Sequence, residues 1–287
     1  MTGAAALEPF LSAAKAGKII APANKEALVM AGEIIMAEAR CSGSRIIPVD
    51  SEQSAIFQCL EGQDRTCLKM VHLTASGGAL RQVAPARHDR LSVKEILRHP
   101  RWRMGAKITV DSASLMNKGF EVIEAMRLFS LSVDQVKVVI HPEAIIHSMV
   151  EMVDGTIFAQ MGVTDMRLPI QYALTYPDRL ATGLPTLDLL EVQTLTFEKP
   201  DMKTFPSLAL AYHAARQGGT LPAVLNAADE IAVEAFLKGR IRFTDIFKIV
   251  EKVVLSHKNI KPASLFDIRY ADACARFNAF ASIKGIA

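Results

Sequence analysis

A β-branched segment that ends in acidic residues lies in the first quarter of the chain, Arg45-Ile46-Ile47-Pro48-Val49-Asp50-Ser51-Glu52. Residues 45–49 predict a short strand, and Ser51 can cap a helix that runs to Leu60. A second strand that ends in a polar loop is predicted at 69–74, where the chain continues into Ala75-Ser76-Gly77-Gly78. Strands that alternate with loops and helices in this way predict an α/β fold with its active residues at the strand ends.

A second polar cluster follows, Asp111-Ser112-Ala113-Ser114-Leu115-Met116-Asn117-Lys118-Gly119-Phe120-Glu121. We predict a strand at 108–110 that presents Asp111 and Ser112, and then a helix at 116–129. Asn117 and Glu121 would share one face of that helix, because residues i and i+4 are neighbours on a helix surface.

The sheet of this region is expected to be mixed. Strands are predicted at 136–140, 148–152 and 157–160, and Asp154-Gly155 between the last two is a hairpin signal. Strands joined so closely are antiparallel, whereas the earlier strands are separated by helices. The fold class is therefore α/β, with a mixed-sheet catalytic domain followed by a small all-helical C-terminal domain.

We divide the chain into an N-terminal segment at 1–49, a catalytic domain at 50–177, a surface linker at 178–206 and a helical domain at 207–287. The N-terminal segment is expected to contain a helix at 7–15, a strand at 18–21 and a helix at 25–40. The helical domain is expected to contain helices at 207–217, 226–238, 244–256 and 264–280. Asn226 is interpreted as the N-cap of the second of these, with Asp229 three residues later.

The composition of the 287 residues indicates a globular enzyme-sized protein. Hydrophobic residues make up 50%, and the net charge of +3 with no long basic run does not indicate nucleic-acid binding. Four cysteines without CxxC spacing fit a reducing compartment. No apolar run approaches the ~18 residues of a membrane span, and the Ala-rich opening lacks a basic start, so we expect a cytoplasmic protein with no membrane partner.

Three carboxylates suit a hard divalent cation. Asp50, Glu52 and Glu121 could converge beside the strand ends, and Mg²⁺ or Mn²⁺ prefers such oxygen ligands. The alternative for Asp50 and Glu52 is that they only cap the helix that follows them.

Other residues suit a phosphate. Ser112, Asn117 and Lys118 at a helix start form a candidate anion pocket, and Ser76 in its Gly-rich loop is a weaker candidate. The loop from His99 to Gly105, which holds Trp102, is a candidate lid, although a lone loop histidine is more often structural. Lys25 is either an electrostatic anchor of the site or an ordinary solvated residue. These clusters together indicate an enzyme that acts on a small phosphorylated substrate.

The chain resembles 1-deoxy-D-xylulose 5-phosphate reductoisomerase, and the resemblance runs in order through nearly its whole length. Its most specific part is the stretch from Arg98 through Asp111-Ser112-Ala113-Ser114-Leu115-Met116-Asn117-Lys118-Gly119 to Glu121. The other matching motifs are Ala23-Asn24-Lys25-Glu26, Pro48-Val49-Asp50-Ser51-Glu52, Thr74-Ala75-Ser76-Gly77-Gly78, Ile140-His141-Pro142, His147-Ser148-Met149-Val150 and Leu225-Asn226-Ala227-Ala228 with Glu230.

The resemblance implies an activity in isoprenoid precursor synthesis by the non-mevalonate pathway. Members of the family rearrange 1-deoxy-D-xylulose 5-phosphate to an aldehyde and reduce it with NADPH to 2-C-methyl-D-erythritol 4-phosphate. It also implies a homodimer that forms through the sheet.

The resemblance further implies a role for each site residue. The metal ligands would be Asp50, Glu52 and Glu121, and the catalytic residues Lys25, Glu52 and His99. The phosphate would be held by Ser76, Ser112, Asn117 and Lys118, and the rest of the substrate by Lys25 and Ser51. His99 and Trp102 would belong to the closing flap, and Asn24, Glu26 and Gly105 would contact the nicotinamide cofactor.

One departure from the family qualifies these expectations. Family members begin with a complete dinucleotide-binding domain, whereas residues 1–49 resemble only the end of that Rossmann-like domain. We therefore expect weak NADPH binding, little turnover by this chain alone, and exposed apolar surface on residues 7–40. Two alternatives stay open: a non-catalytic remnant that binds metal and phosphosugar, and a redox-free isomerase that releases the aldehyde.

Overall fold

A computed structural model describes residues 2–102 and 104–286. Its N-terminal part is a short βαβ arrangement in which two strands pair in parallel across an intervening helix, with Ile19 opposite Arg45 and Ile20 opposite Ile46. This pairing agrees with the predicted end of a Rossmann-like domain, although both strands are shorter than the predicted 18–21 and 45–49. The elements are α1 (Leu7–Lys15), β1 (Ile19–Ile20), α2 (Glu26–Ser42) and β2 (Arg45–Ile46).

The predicted mixed sheet is confirmed. Its four strands lie in the order β4-β3-β5-β6, with β3 parallel to β4 and antiparallel to β5, and β5 antiparallel to β6. Helix α3 packs against β5 and β6, while the later helix α6 packs against β3 and β4. The elements are α3 (Ser51–Cys59), β3 (Leu68–Ala75), α4 (Val93–Ile96), α5 (Ala106–Ser114), α6 (Met116–Phe129), β4 (Val136–Ile140), β5 (Ile146–Met152) and β6 (Ile157–Met161).

The strand predicted at 108–110 is wrong, because these residues lie inside helix α5. The β-branched run suggested a strand, but packing prevails: Val110 and Ala113, three positions apart, are both fully buried on one face of the helix. Helix α6 has the predicted bounds. The two helices are joined by the single residue Leu115, whose φ of 63° turns the chain sharply between them.

The linker and the C-terminal region also differ from the prediction in detail. The linker contains one short helix and is held to the sheet by an antiparallel bridge between Glu198 and Ile140. Asn226 is not an N-cap: its helix begins at Leu221 with Pro222 in the first turn, so Asn226 and Asp229 are interior and fully buried. The helices are α7 (Arg167–Thr175), α8 (Leu189–Val192), α9 (Pro206–Gln217), α10 (Leu221–Leu237), α11 (Phe243–Ser256) and α12 (Leu265–Lys284).

One continuous apolar core joins the sheet to the C-terminal helices, with Leu73 of β3, Ile123 of α6, Leu208 of α9 and Leu225 of α10 all fully buried. A second core forms where α1 and α2 pack on Ala223 and Ile268 of the C-terminal helices.

The expected apolar exposure of residues 7–40 is therefore contradicted. Among the large hydrophobic side chains described in this range, Ile19 alone is strongly exposed, at 67%. None of the helices in the described part of the chain combines the length and apolar character that crossing a bilayer requires.

Gly119 provides a test of the packing between α6 and α9. A Cβ atom on Gly119 would lie 2.4 Å from the Cβ of Ala211, so the two helices approach too closely for any side chain here. In an isolated helix Gly→Ala stabilises by about 1 kcal/mol. We expect Gly119→Ala instead to lower the free energy of unfolding by about 1–3 kcal/mol, measured by urea denaturation.

The matched control is Ala211→Gly in the Gly119→Ala background, which removes the overlap. It should recover part of the lost stability relative to the sum of the single changes. If the two substitutions instead lower the free energy of unfolding additively, the contact between positions 119 and 211 does not limit the packing of α6 on α9.

Candidate functional site

A cavity of about 350 Å³ lies where the end of β3 meets the first turn of α3 and the junction of α5 and α6. It collects residues from stretches that are far apart in the chain. The predicted residues that line it are Lys25, Asp50, Ser51, Glu52, Ser76, His99, Trp102, Gly105, Ser112, Asn117, Lys118 and Glu121.

Two of the predicted cofactor residues lie outside this lining. Asn24 accepts a hydrogen bond from the Ala27 backbone N–H at 3.0 Å and donates one to the Gly3 carbonyl at 3.1 Å, so its side chain fixes the start of α2. Glu26 follows in the first turn of α2, 3.9 Å from the ammonium of Lys107.

The three carboxylates converge as predicted. One oxygen each of Asp50, Glu52 and Glu121 lies within 4.8 Å of the others, which suits a shared divalent cation. Asp50 also accepts a hydrogen bond from the Glu52 backbone N–H at 3.3 Å, so it caps α3. The two roles proposed for Asp50, helix cap and metal ligand, are therefore compatible, because the capping hydrogen bond holds its carboxylate at the cavity wall.

Two buried lysines neutralise these carboxylates. The Lys25 ammonium lies 2.5 Å from Asp50 and 2.9 Å from Glu121, which excludes the interpretation of Lys25 as a solvated residue. Lys118 lies 2.6 Å from Glu52 and also contacts Glu121. Buried charges persist only when they are paired in this way, so the cluster is one electrostatic unit.

The environment gives Asp50 and Glu52 different proton affinities. Burial raises the pKa of Asp50 to about 7, against the opposing effect of Lys25. Burial also disfavours charge on Glu52, but Lys118, the hydrogen bond with Asp50 and the ammonium of Lys25 together outweigh it and hold the Glu52 pKa well below its usual range. Near neutral pH the site therefore holds one carboxylate that titrates and one that stays ionised.

A fourth carboxylate, Glu124, was missed by the sequence analysis. It lies one turn after Glu121 on α6, is 1% exposed, and its Oε2 has no hydrogen-bond partner among the described residues. Burial, followed by the nearby charge of Asp50, raises its pKa well above the usual value. Its i+3 spacing from Glu121 was a visible signal, but spacing alone does not reveal burial.

The Ser-Gly-Gly loop has a geometric reason for its glycines. Gly77 and Gly78 both have positive φ, at 87° and 69°, and a Cβ on Gly78 would lie 2.4 Å from the Ser112 carbonyl oxygen. The loop can therefore lie directly against α5, which brings Ser76 and Ser112 to the same cavity.

His99 has a structural role in its own loop as well as a place in the cavity. Its Nδ1 accepts hydrogen bonds from the backbone N–H groups of Arg101 and Trp102, at 3.1 and 2.9 Å. The proton must then reside on Nε2, which donates to Ser76 Oγ at 3.1 Å. Burial lowers the His99 pKa to about 4, so the ring is neutral near pH 7.

The aromatic wall of the cavity includes a histidine that the sequence analysis left without a role. The rings of His147 and Trp102 lie 6.3 Å apart, and burial lowers the His147 pKa. Arg101 donates from Nε to the Pro142 carbonyl at 3.1 Å, which holds the 99–102 loop near the start of β5.

Asp111 lies away from the cavity, although its neighbour Ser112 lines it. The Lys107 ammonium is 2.6 Å from Asp111 and 3.0 Å from Asp229 of α10. The two adjacent residues of α5 therefore serve different purposes, one at the cavity and one in a buried ion cluster.

Three family models match separate parts of the chain. One described as 1-deoxy-D-xylulose 5-phosphate reductoisomerase matches residues 1–32, and its C-terminal domain model matches residues 46–129. A third, the DXP reductoisomerase C-terminal domain, matches residues 161–278.

Similar proteins carry the same description. The 1-deoxy-D-xylulose 5-phosphate reductoisomerase of Heliobacterium modesticaldum is 56% identical over 276 residues, which are 96% of this chain and 70% of that protein. The enzyme of Caldanaerobacter subterraneus subsp. tengcongensis is 54% identical over 271 residues, 94% of this chain and 71% of that protein.

Solved structures of the family superpose closely on the chain. A crystal structure of DOX-P reductoisomerase with NADPH, fosmidomycin and magnesium has a TM-score of 0.93 at 44% identity, covering 99% of this chain and 74% of that one. The Zymomonas mobilis reductoisomerase with NADPH has a TM-score of 0.92 at 42% identity, covering 99% of this chain and 73% of that one. The chain belongs to the 1-deoxy-D-xylulose 5-phosphate reductoisomerase family.

Proposed function

We propose that this protein acts in the NADPH- and metal-dependent rearrangement and reduction of 1-deoxy-D-xylulose 5-phosphate to 2-C-methyl-D-erythritol 4-phosphate. The observation that carries the proposal is the convergence of Asp50, Glu52 and Glu121 beside Lys118 and Ser112 in one cavity. A phosphorylated sugar needs a cation for its oxygens and an anion pocket for its phosphate, and this cavity offers both.

The three carboxylates fit Mg²⁺ or Mn²⁺, since all offer oxygen ligands within reach of one ion. When bound, the metal would polarise the carbonyl and hydroxyl oxygens of the substrate as a Lewis acid. The ionised Glu52 would be ready to ligate at neutral pH, whereas Asp50 would first lose its proton.

The phosphate would lie against the serines and α6. Lys118 and Asn117 occupy the first turn of α6, where the positive end of the helix favours an anion, and Ser112 and Ser76 add hydroxyl donors. Lys25 and Ser51 would contact the sugar portion. Lys25 would also balance the carboxylates whenever the substrate leaves.

Neutral His99 and Trp102 would close over the substrate and exclude water. We assign Asn24, Glu26 and Gly105 to the nicotinamide end of NADPH. Three contacts give little affinity for a ligand of that size, so these 287 residues by themselves should bind NADPH weakly.

The proposal includes a homodimer in the cytoplasm. Strand β6 is an edge of the sheet with Ile157 and Phe158 exposed at 52% and 37%, and a second copy pairing there would cover them. The four cysteines are free, which suits a reducing compartment.

The first test measures substrate binding and NADPH oxidation by the purified chain with Mg²⁺. We expect metal-dependent binding of 1-deoxy-D-xylulose 5-phosphate with slow oxidation of NADPH. Glu121→Gln should weaken metal binding by at least about a hundredfold, whereas exposed Asp64→Asn should leave it unchanged.

The alternatives give different results in the same assay. Metal-dependent binding with no oxidation indicates a binding remnant, and release of the aldehyde without NADPH indicates a redox-free isomerase. Absence of metal-dependent binding would overturn the proposed site altogether.

The second test uses the pH dependence of Mn²⁺ binding, measured by calorimetry from about pH 5.5 to pH 8. Because Asp50 has a pKa of about 7 and Glu52 stays ionised, the affinity should fall by about tenfold for each pH unit below 7. Asp50→Asn should bind more weakly at every pH and lose this slope. A wild-type affinity independent of pH would exclude Asp50 as the titrating ligand.

Without metal, the contribution of Asp50 to the free energy of unfolding should fall as the pH rises, whereas the affinity for Mn²⁺ rises. Folding raises the Asp50 pKa above its unfolded value, so the contribution of this group is complete below about pH 4 and is lost as the pH rises through 7.

A further inference from the structure

Helix α12 has two apolar faces. One face packs into the protein through buried Ile268, Ala271, Ala275, Ala279 and Ile283. The opposite face carries an aromatic stripe, which we define as Phe266, Tyr270, Ala273, Phe277 and Phe280. A surface helix ordinarily has a polar outer face, so this stripe requires an explanation.

The members of the aromatic stripe are strongly exposed. Phe266 and Phe277 are each 73% exposed, Tyr270 is 64% and Phe280 is 49%. The rings of Phe266 and Tyr270 stack at 6.3 Å with an interplanar angle of 18°, so the first two members of the stripe form one continuous apolar surface.

The spacing of the stripe indicates what covers it. Successive members are separated by four, three, four and three positions, which is the repeat that places side chains along the seam between two packed helices.

The area is sufficient for self-association. With about 200 Å² for a whole aromatic side chain, the exposed fractions amount to roughly 500 Å² per copy. Two copies would bury roughly 1,000 Å², which meets the lower limit for a specific interface. A patch of this size and composition lies near the upper end of what monomeric proteins expose.

We propose that the aromatic stripe binds the same stripe of a second copy in an antiparallel helix pair. The stripe is nearly symmetric about Ala273: Phe266 and Phe280 lie seven positions to either side, and Tyr270 and Phe277 lie three positions before it and four after it. An antiparallel pair centred on Ala273 would put Phe266 against Phe280 of the second copy and Tyr270 against Phe277. The small side chain at the centre lets the two helix axes approach closely.

This surface is separate in sequence from the β6 edge, and the inference does not depend on the proposed reaction. Two self-complementary surfaces on one chain allow a closed assembly of four copies, formed as a dimer of dimers.

Disulfide cross-linking tests the pairing directly. In a Cys274→Ser background, Ala273→Cys should form an intermolecular disulfide under mild oxidation, because both copies of residue 273 lie at the two-fold axis. Lys284→Cys is the matched control, since an antiparallel pair places its two copies about 33 Å apart. Cross-linking of both variants would indicate a parallel pair and overturn the proposal, as would cross-linking of neither.

Sedimentation velocity provides the second measurement. Phe277→Lys should weaken self-association on the order of a hundredfold, because the symmetric pair loses two rings at once. Its side chain is exposed, so the fold does not depend on it. Phe158→Lys on β6 is the control for the other surface. The proposal would be overturned if the Phe277→Lys variant had the same mass as the wild-type protein at every protein concentration measured.

Discussion

The charge balance between two lysines and three carboxylates constrains the rest of this structure. Lys25 comes from the start of α2, Asp50 and Glu52 from the first turn of α3, and Lys118 and Glu121 from α6. Loss of one partner would leave an uncompensated buried charge, which costs about 3–5 kcal/mol. Three elements from distant parts of the chain therefore have to meet within hydrogen-bond distance.

The apolar core holds α6 rigidly enough to keep these charged side chains in contact. Phe120, Val122 and Ile123 are buried on the same helix as Glu121, so α6 cannot move without opening the core. Gln53 adds a direct link, since its side chain donates to the Glu121 backbone carbonyl at 2.9 Å. The site is therefore preorganised, and its three carboxylates are held close together.

Helix periodicity and capping residues were sufficient to predict much of the local structure. The bounds of α1 and α6 agree with the prediction because each helix has a clear apolar repeat and a marked end. The strand predicted at 108–110 was wrong because the intrinsic preference of these residues for a strand was overridden by the burial of one helix face. The prediction that Asn226 is an N-cap was wrong for a related reason: a polar residue within an apolar run resembles a helix cap unless its burial is known.

Most residues of the candidate site could be predicted from the sequence, but the electrostatic interactions between them could not. The motifs identified Asp50, Glu52 and Glu121 as possible ligands, yet nothing in their spacing showed that Lys25 lies 2.5 Å from Asp50. Glu124 and His147 were missed because their importance depends on enclosure by residues that are remote in sequence. Contacts between elements, and the pKa values that follow from them, require the tertiary structure.

The C-terminal helices contribute to the site without lining its cavity. Lys107 of α5 contacts Asp111 on its own helix and Asp229 on α10, and its ammonium lies 4.9 Å from the centre of the Phe120 ring. Since α5 also carries Ser112, the ion cluster with α10 holds in place the helix that forms one wall of the cavity. Helix α10 packs on α2 as well, which begins beside Lys25. The boundary that we predicted at residue 207 thus crosses a continuous core, and the geometry of the cavity depends on residues from both sides of it.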